Sequence, residues 1–146
     1  MGEQEQTHFL GIDYGEKVIG LSTYKLQADP FPLMYGRLVV KNDDVSLIEL
    51  KSIIDTEFID HVILGLPFLT DGNESSMTKK VRHFGELLQK KIGETPLSFQ
   101  DETLSTYEAE ERMKNDPRFD FKVDPKKIDA LSAVIIIESY LSERKK

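Results

Sequence analysis

Phe9-Leu10-Gly11-Ile12-Asp13-Tyr14-Gly15-Glu16-Lys17-Val18-Ile19-Gly20-Leu21-Ser22 is the stretch that decides the fold. Its apolar start, with Phe9, Leu10 and Ile12 around Gly11, reads as a short buried strand, and Gly11 lets a neighbouring backbone approach closely. The strand delivers one carboxylate, Asp13, to its end. Gly15 then permits a turn, with Lys17 nearby, and Val18 to Tyr24 runs back as a second strand. A carboxylate held on a rigid element suits a hard cation or a phosphate-handling site, because an oxygen ligand matches Mg²⁺ or Mn²⁺. Aspartate is also an ordinary turn residue, so position alone leaves both roles open.

Beyond this hairpin, Gln27 to Pro32 carries prolines that cannot continue a central ladder, and Tyr35 to Lys41 reads as a third strand. Short connections make the first three strands an antiparallel meander. Asp43 or Asp44 can cap a helix whose apolar positions Leu47, Leu50 and Ile54, flanked by Ile48 and Phe58, follow helical spacing. His61 to Leu66 is almost continuously apolar, the signature of a buried parallel strand, and stops at Pro67.

A polar loop, Phe68 to Ser76 with Asp71-Gly72, leads to a helix carrying Met77, Val81, Phe84, Leu88 and Ile92 on one face, with Gly93 as its stop. The other face holds Lys79, Lys80, Arg82 and Lys90, which by itself reads as a solvated surface. Leu97 to Gln100 forms a fifth strand that ends in Asp101-Glu102. Ser105-Thr106-Tyr107-Glu108 has capping-box spacing, so a helix begins directly after the acidic pair. Asn115 to Asp124 is irregular. The last helix starts at Asp124-Pro125 and buries Ile128, Leu131, Val134, Ile135 and Leu141, while the run from Val134 to Ile137 implies cover on more than one side. Asp129 lies in its second turn, where a carboxylate among apolar neighbours is costly unless something satisfies it. The helix macrodipole favours an early aspartate as well.

Composition narrows the function. A chain of 146 residues fits one domain, here residues 9–142 between a flexible N-terminus, 1–8, and a charged tail, 143–146. With no cysteine there is no disulfide framework and no thiolate site, and His8, His61 and His83 lack ligand spacing, so zinc is not expected. The polar, acidic start differs from a signal peptide, and no stretch approaches a membrane span, so a cytoplasmic protein without a membrane partner is expected. A net charge of −7 argues against a generic nucleic-acid coat protein. It leaves room for an enzyme that meets phosphates through a bound divalent metal.

The element order therefore predicts an α/β fold: a five-stranded mixed sheet, three antiparallel strands then two parallel ones, flanked by helices. In open α/β sheets, sites gather at the carboxyl ends of neighbouring strands. Asp13, Glu102 and Asp129 are placed to converge there, and three acids in one place need a divalent cation to offset their repulsion.

Five motifs in order, Gly11-Ile12-Asp13-Tyr14-Gly15 with Ile19-Gly20, Gly65-Leu66-Pro67 with Asp71-Gly72, Val81-Arg82 with Phe84, Asp101-Glu102 with Leu104 and Thr106, and Ile128-Asp129-Ala130-Leu131 with Ala133-Val134, resemble the YqgF family. These are the Holliday-junction resolvase-like and pre-16S rRNA nucleases, and the resemblance runs from about Phe9 to Leu141. It implies an RNase H-like fold and divalent-metal-dependent phosphodiester cleavage in the processing of the 5′ end of the 16S rRNA precursor. It also implies that Asp13, Glu102 and Asp129 form the acidic site, binding Mg²⁺ or Mn²⁺, with Asp101 beside them. Two ions held chiefly by Asp13 against the scissile phosphate would hydrolyse it.

Lys17, Arg82 and Lys126 or Lys127 are the expected contacts to flanking phosphates, with the Asp71-Gly72 loop along the strand. The chain departs from the family pattern where Lys17-Val18 replaces Lys-Arg and Asp101-Glu102-Thr103-Leu104 replaces Asp-Glu-Arg-Leu. Lysine binds phosphate as a point charge, without arginine's bidentate geometry. The expected partner is nucleic acid, either structured RNA, within a pre-ribosomal particle, or branched DNA, which would suit a homodimer rather than a monomer. Two rival readings start from the same residues: a non-catalytic RNA-binding module, and an ATP-binding lobe of actin-like type, which a single small lobe serves poorly.

Overall fold

The computed structural model describes residues 6–144. Nine regular elements follow the expected order: β1 (His8–Asp13), β2 (Val18–Lys25), β3 (Leu33–Val39), α1 (Asp43–Thr56), β4 (His61–Leu66), α2 (Ser76–Ile92), β5 (Leu97–Asp101), α3 (Ser105–Lys114) and α4 (Ile128–Arg144). The strands form one sheet in the order β3-β2-β1-β4-β5. The two hairpin pairs are antiparallel, while β1 with β4 and β4 with β5 are parallel. This is the mixed sheet that the short early connections and the later helical crossovers require.

Alternation along the central strands assigns the two faces. Leu10, Ile12, Ile19, Leu21, Val62 and Leu64 point to one side and pack with Leu50 and Ile54 of α1 and Val81, Phe84 and Leu88 of α2. On the other side Phe9 and Ile63 meet Ile136, Ile137 and Tyr140 of α4. A further stripe of α4, with Leu131, Val134 and Ile135, packs under Ala109 and Met113 of α3. The apolar run in α4 is thus covered twice, by sheet and by helix, as the sequence suggests.

Several local expectations change. The third strand lies two residues earlier than the Tyr35 to Lys41 span, because Leu33 and Met34 already pair with Thr23 and Ser22 directly after Pro32. Asn42, not Asp43 or Asp44, caps α1 by accepting from the Val45 amide at 2.8 Å. Ile48 and Phe58, flanking the α1 stripe, are 60% and 82% exposed. The Ser105 capping box does not form, since Leu104 holds the cap position with no side-chain bond. A capping box forms instead between Ser75 and Thr78 at the start of α2. Amides of Lys127 and Ile128 reach the Asp124 carbonyl, each at 3.0 Å, giving the expected lead-in turn, but regular helix begins at Ile128, so Asp129 lies in its first turn. Within the irregular Asn115 to Asp124 segment, Pro117–Phe119 makes one short 3-10 turn.

At the N-terminal side, His8 already belongs to β1, and the Gln6 amide donates to the Leu26 carbonyl at 3.0 Å. The rest of the flexible N-terminus expected from sequence, residues 1–5, and the last two residues of the charged tail lie outside the described residues, while Glu143 and Arg144 belong to α4. No helix among the described residues is long and apolar enough to cross a membrane.

One contact fixes the end of β1 to α1. The Tyr14 hydroxyl donates to Asp43 at 2.8 Å, and its ring lies against Phe84 with centroids 4.6 Å apart. Tyr14→Phe keeps the packing and removes the bond, so it is expected to destabilise the protein by about 1 kcal/mol, read from the denaturation midpoint.

Candidate active site

Asp13 closes β1 with Gly20 directly opposite on β2. On its other side Ile12 sits beside Leu64 of β4, so Gly65 is the next residue of that strand. The absence of side chains at these two glycines shapes the site. A Cβ on Gly20 would lie 2.0 Å from the Asp129 carbonyl oxygen, and one on Gly65 would lie 2.9 Å from the Glu102 carboxyl carbon. The first turn of α4 therefore settles on β2, and the residue after β5 folds over β4. Asp129 and Glu102 close in on either side of Asp13.

The electrostatics record this crowding. Burial lifts the Asp13 carboxyl well above the usual carboxylate range, and the charges of Glu102 and then Asp129 add to the effect. The Asp13 and Glu102 carboxyls stand within hydrogen-bonding reach of each other, and that contact favours the protonated form of Asp13. Burial raises Glu102 as well, against that contact and the bond it accepts from the Ser105 hydroxyl at 3.0 Å. Ser105 thus serves the site where the sequence suggested a helix cap. Burial also raises Asp129, and the positive charge of Arg37 opposes it.

Arg37 is the residue that sequence reasoning missed. It pairs with Gly20 across the β2–β3 ladder, which places Arg37, Gly20 and Asp13 in one row on the same face of the sheet. Its alternation in an exposed edge strand carries no sign of this, because the row depends on two registers. Here is a guanidinium beside the acids, in a chain that lacks arginine after Lys17 and after Glu102.

The other sequence-predicted residues disperse. Asp101 ends β5 exposed, with its carboxylate accepting from the Thr103 amide at 2.9 Å rather than turning to Asp13. Lys17 and Lys126 are exposed, while Lys127 lies 6.0 Å over the Phe119 ring. Arg82 is held in a two-pronged pair by Glu74, both contacts at 2.8 Å, which engages the face expected to meet phosphate. Asp71 accepts from the Asn73 amide at 2.9 Å and shapes its own loop.

Among the described residues, no three acids stand close enough to enclose an ion as they are placed. The donor chemistry nevertheless fits a hard divalent cation. Two carboxyls crowded in a half-buried niche, where protonation is favoured, are a pair that such a cation would relieve, and oxygen is the ligand that Mg²⁺ and Mn²⁺ take. Beside Glu102 the site opens into a cleft of about 270 Å³.

A pH dependence follows. All three acids have folded-state values above their ordinary ones, so at these three groups the folded protein holds more protons than the unfolded chain. Their contribution to stability is complete below the ordinary carboxylate range and is lost as pH rises through the raised values. In chelator, the Tm is expected to be higher at mildly acidic pH than at mildly alkaline pH. Saturating Mg²⁺ or Mn²⁺ is expected to remove that difference by favouring the ionised acids. Thermal melts across pH, with and without metal, measure both.

Comparison with known proteins completes the description. A family model described as RuvX: Holliday junction resolvase matches residues 7–143. A protein of Dictyoglomus thermophilum named "Putative pre-16S rRNA nuclease" is 34% identical, with 90% of this chain and 93% of that protein covered. A protein of the same name from Maridesulfovibrio salexigens is 32% identical, covering 91% and 96% respectively. Among solved structures, Thermus thermophilus RuvC superposes with a TM-score of 0.61 over 94% of this chain and 96% of that one, at 13% identity, a likeness of fold.

Proposed function

The chain belongs to the RuvX family, the YqgF family of the sequence reading, and from that premise we propose that it is a divalent-metal-dependent endonuclease that processes the 5′ end of precursor 16S rRNA. The observation that carries the reading is the crowding of the Asp13 and Glu102 carboxyls in a niche opened by Gly20 and Gly65, with Asp129 alongside. The name shared by the relatives from D. thermophilum and M. salexigens supports the choice of RNA.

Asp13, Glu102 and Asp129 would hold Mg²⁺ or Mn²⁺. When bound, the metal supplies Lewis-acid polarisation of the phosphate and activation of water. The protein's own groups do the rest. Ser105 keeps the Glu102 carboxylate turned toward Asp13 through its hydroxyl. Arg37, in the same row as Asp13, offers a guanidinium to the phosphate of the substrate strand, where the pentavalent charge builds. The closeness of α4 and of the Glu102 turn to the sheet covers part of each acid and strengthens these contacts relative to open water.

The experiment is cleavage of an end-labelled precursor rRNA fragment beside a four-way DNA junction, each with Mn²⁺, Mg²⁺ or chelator. Metal-dependent cutting of the RNA at its 5′ flank is expected. Cutting of the junction alone would move the activity to a dimeric resolvase of branched DNA. Metal binding without cutting of either would leave an RNA-binding module of the pre-ribosomal particle.

A further inference from the structure

Away from the acids, α4 borders a second and larger opening. A groove of about 680 Å³ runs between the end of the β2–β3 connection and the start of β3, lined by Phe31 and Leu33, and the segment ahead of α4, lined by Phe119 and Lys127. Its volume lies in the range of ligand clefts, about 300–1,000 Å³.

The lining is unusual for this chain. Phe31 is 54% exposed and Leu33 40% exposed, so apolar surface stands open to solvent on one wall. Three cations, Arg112, Arg118 and Lys127, line the groove against one carboxylate, Glu138, in a protein whose net charge is −7. Glu138 is already engaged by Arg112 at 2.6 Å. Arg118 pairs with Asp116 at 2.7 Å yet leaves its side chain 77% exposed. Lys127 has no carboxylate partner among the described residues and sits over the Phe119 ring. An exposed ring, Phe31, set among cations matches a polyanion whose bases are free to stack. A duplex would offer only its phosphates, because its bases are stacked inward.

The groove is bordered by the same strand and helix that border the candidate active site. Lys127 stands two positions ahead of Asp129 on the approach to α4, and β3 carries both Leu33 in the groove and Arg37 in the row of Asp13. A strand leaving the acids past Arg37 would enter the groove between β3 and α4.

We propose that this groove binds a single-stranded segment of the nucleic acid that flanks the bond cut at the acids, with Phe31 stacking a base and Arg118 and Lys127 meeting phosphates. The inference rests on the nuclease reading and adds to it the place where the substrate strand is held.

The test uses the full chain carrying Asp13→Asn, in chelator, with a short fluorescein-labelled single-stranded RNA followed by anisotropy at a series of KCl concentrations. Adding Phe31→Ala is expected to weaken binding about tenfold. Adding Arg118→Ala with Lys127→Ala is expected to lower the slope of log affinity against log salt by roughly one to two, the loss of two phosphate contacts. Thermal melts of each variant verify that it is folded. No binding by the parent, or unchanged affinity and salt slope in folded variants, overturns the proposal. So does sedimentation showing a dimer that Phe31→Ala dissociates, since a second copy would then be the occupant. The two readings fail separately. Cleavage by the wild type with groove variants that bind RNA as it does removes the groove alone, while groove-dependent binding by a protein that cuts nothing removes the nuclease alone.

Discussion

Asp13→Asn is expected to lower metal-dependent cleavage by about a thousandfold or more while raising the Tm of the metal-free protein by a few degrees. The opposite signs come from one cause. Asp13 is half-buried and crowded by Glu102 and Asp129, so its charge is a cost to the fold unless a proton or a cation offsets it. Asparagine keeps the shape and donates to Glu102 without bringing a charge. It binds a divalent ion far less well, so the gain in stability and the loss of activity arrive together. Cleavage assays and thermal melts in chelator check the pair. If Asp13 were only a turn residue, the substitution would leave cleavage intact and stability unchanged or lower. The metal response provides a third readout: Mn²⁺ is expected to raise the Tm of the wild type and to leave that of Asp13→Asn nearly unmoved.

Gly20→Ala is expected to be the most damaging small substitution near the site, at roughly 3 kcal/mol and on the order of 10 °C in Tm. The added carbon would meet the Asp129 carbonyl at 2.0 Å and its carbonyl carbon at 2.2 Å, and backbone cannot swing aside as a side-chain end can. α4 must lift from β2, which carries Asp129 away from Asp13 and loosens the packing of Ile136 and Ile137 on Phe9. Gly65→Ala gives the contrast. Its nearest neighbours are the Ile136 Cδ1 atom and the Glu102 carboxyl, both ends of side chains. It is expected to cost less stability than Gly20→Ala yet to lose activity to a similar degree, because it pushes the Glu102 carboxyl itself. Denaturation midpoints set beside cleavage rates separate the two. Equal losses of stability in both variants would mean that α4 does not depend on close approach at Gly20.

Much of this was legible in the order of residues. The period-two alternation of Phe9, Gly11 and Asp13 against Leu10 and Ile12 states which side of β1 meets which layer, and the unbroken His61 to Leu66 run states that β4 is covered on both faces. The strand ends at Asp13 and Asp101-Glu102 and the isolated Asp129 in an apolar helix mark the acids without any tertiary information. Such signals are local, since they come from periods of two and 3.6 that neighbours in the chain carry themselves.

What the sequence by itself determined, then, was the element order, the burial of β4 and the positions of three acids at strand ends and in the last helix. Only the tertiary structure decided that the Asp13 and Glu102 carboxyls crowd one another, that Arg37 joins the row of Asp13, that Ser105 holds Glu102 instead of capping α3, that Glu74 captures Arg82, and that Phe31 and Phe119 line one groove. Each of these depends on strand register and on how closely α4 lies on the sheet. Those are set by packing between segments far apart in the chain, where a slip of one residue would turn every side chain to the opposite face.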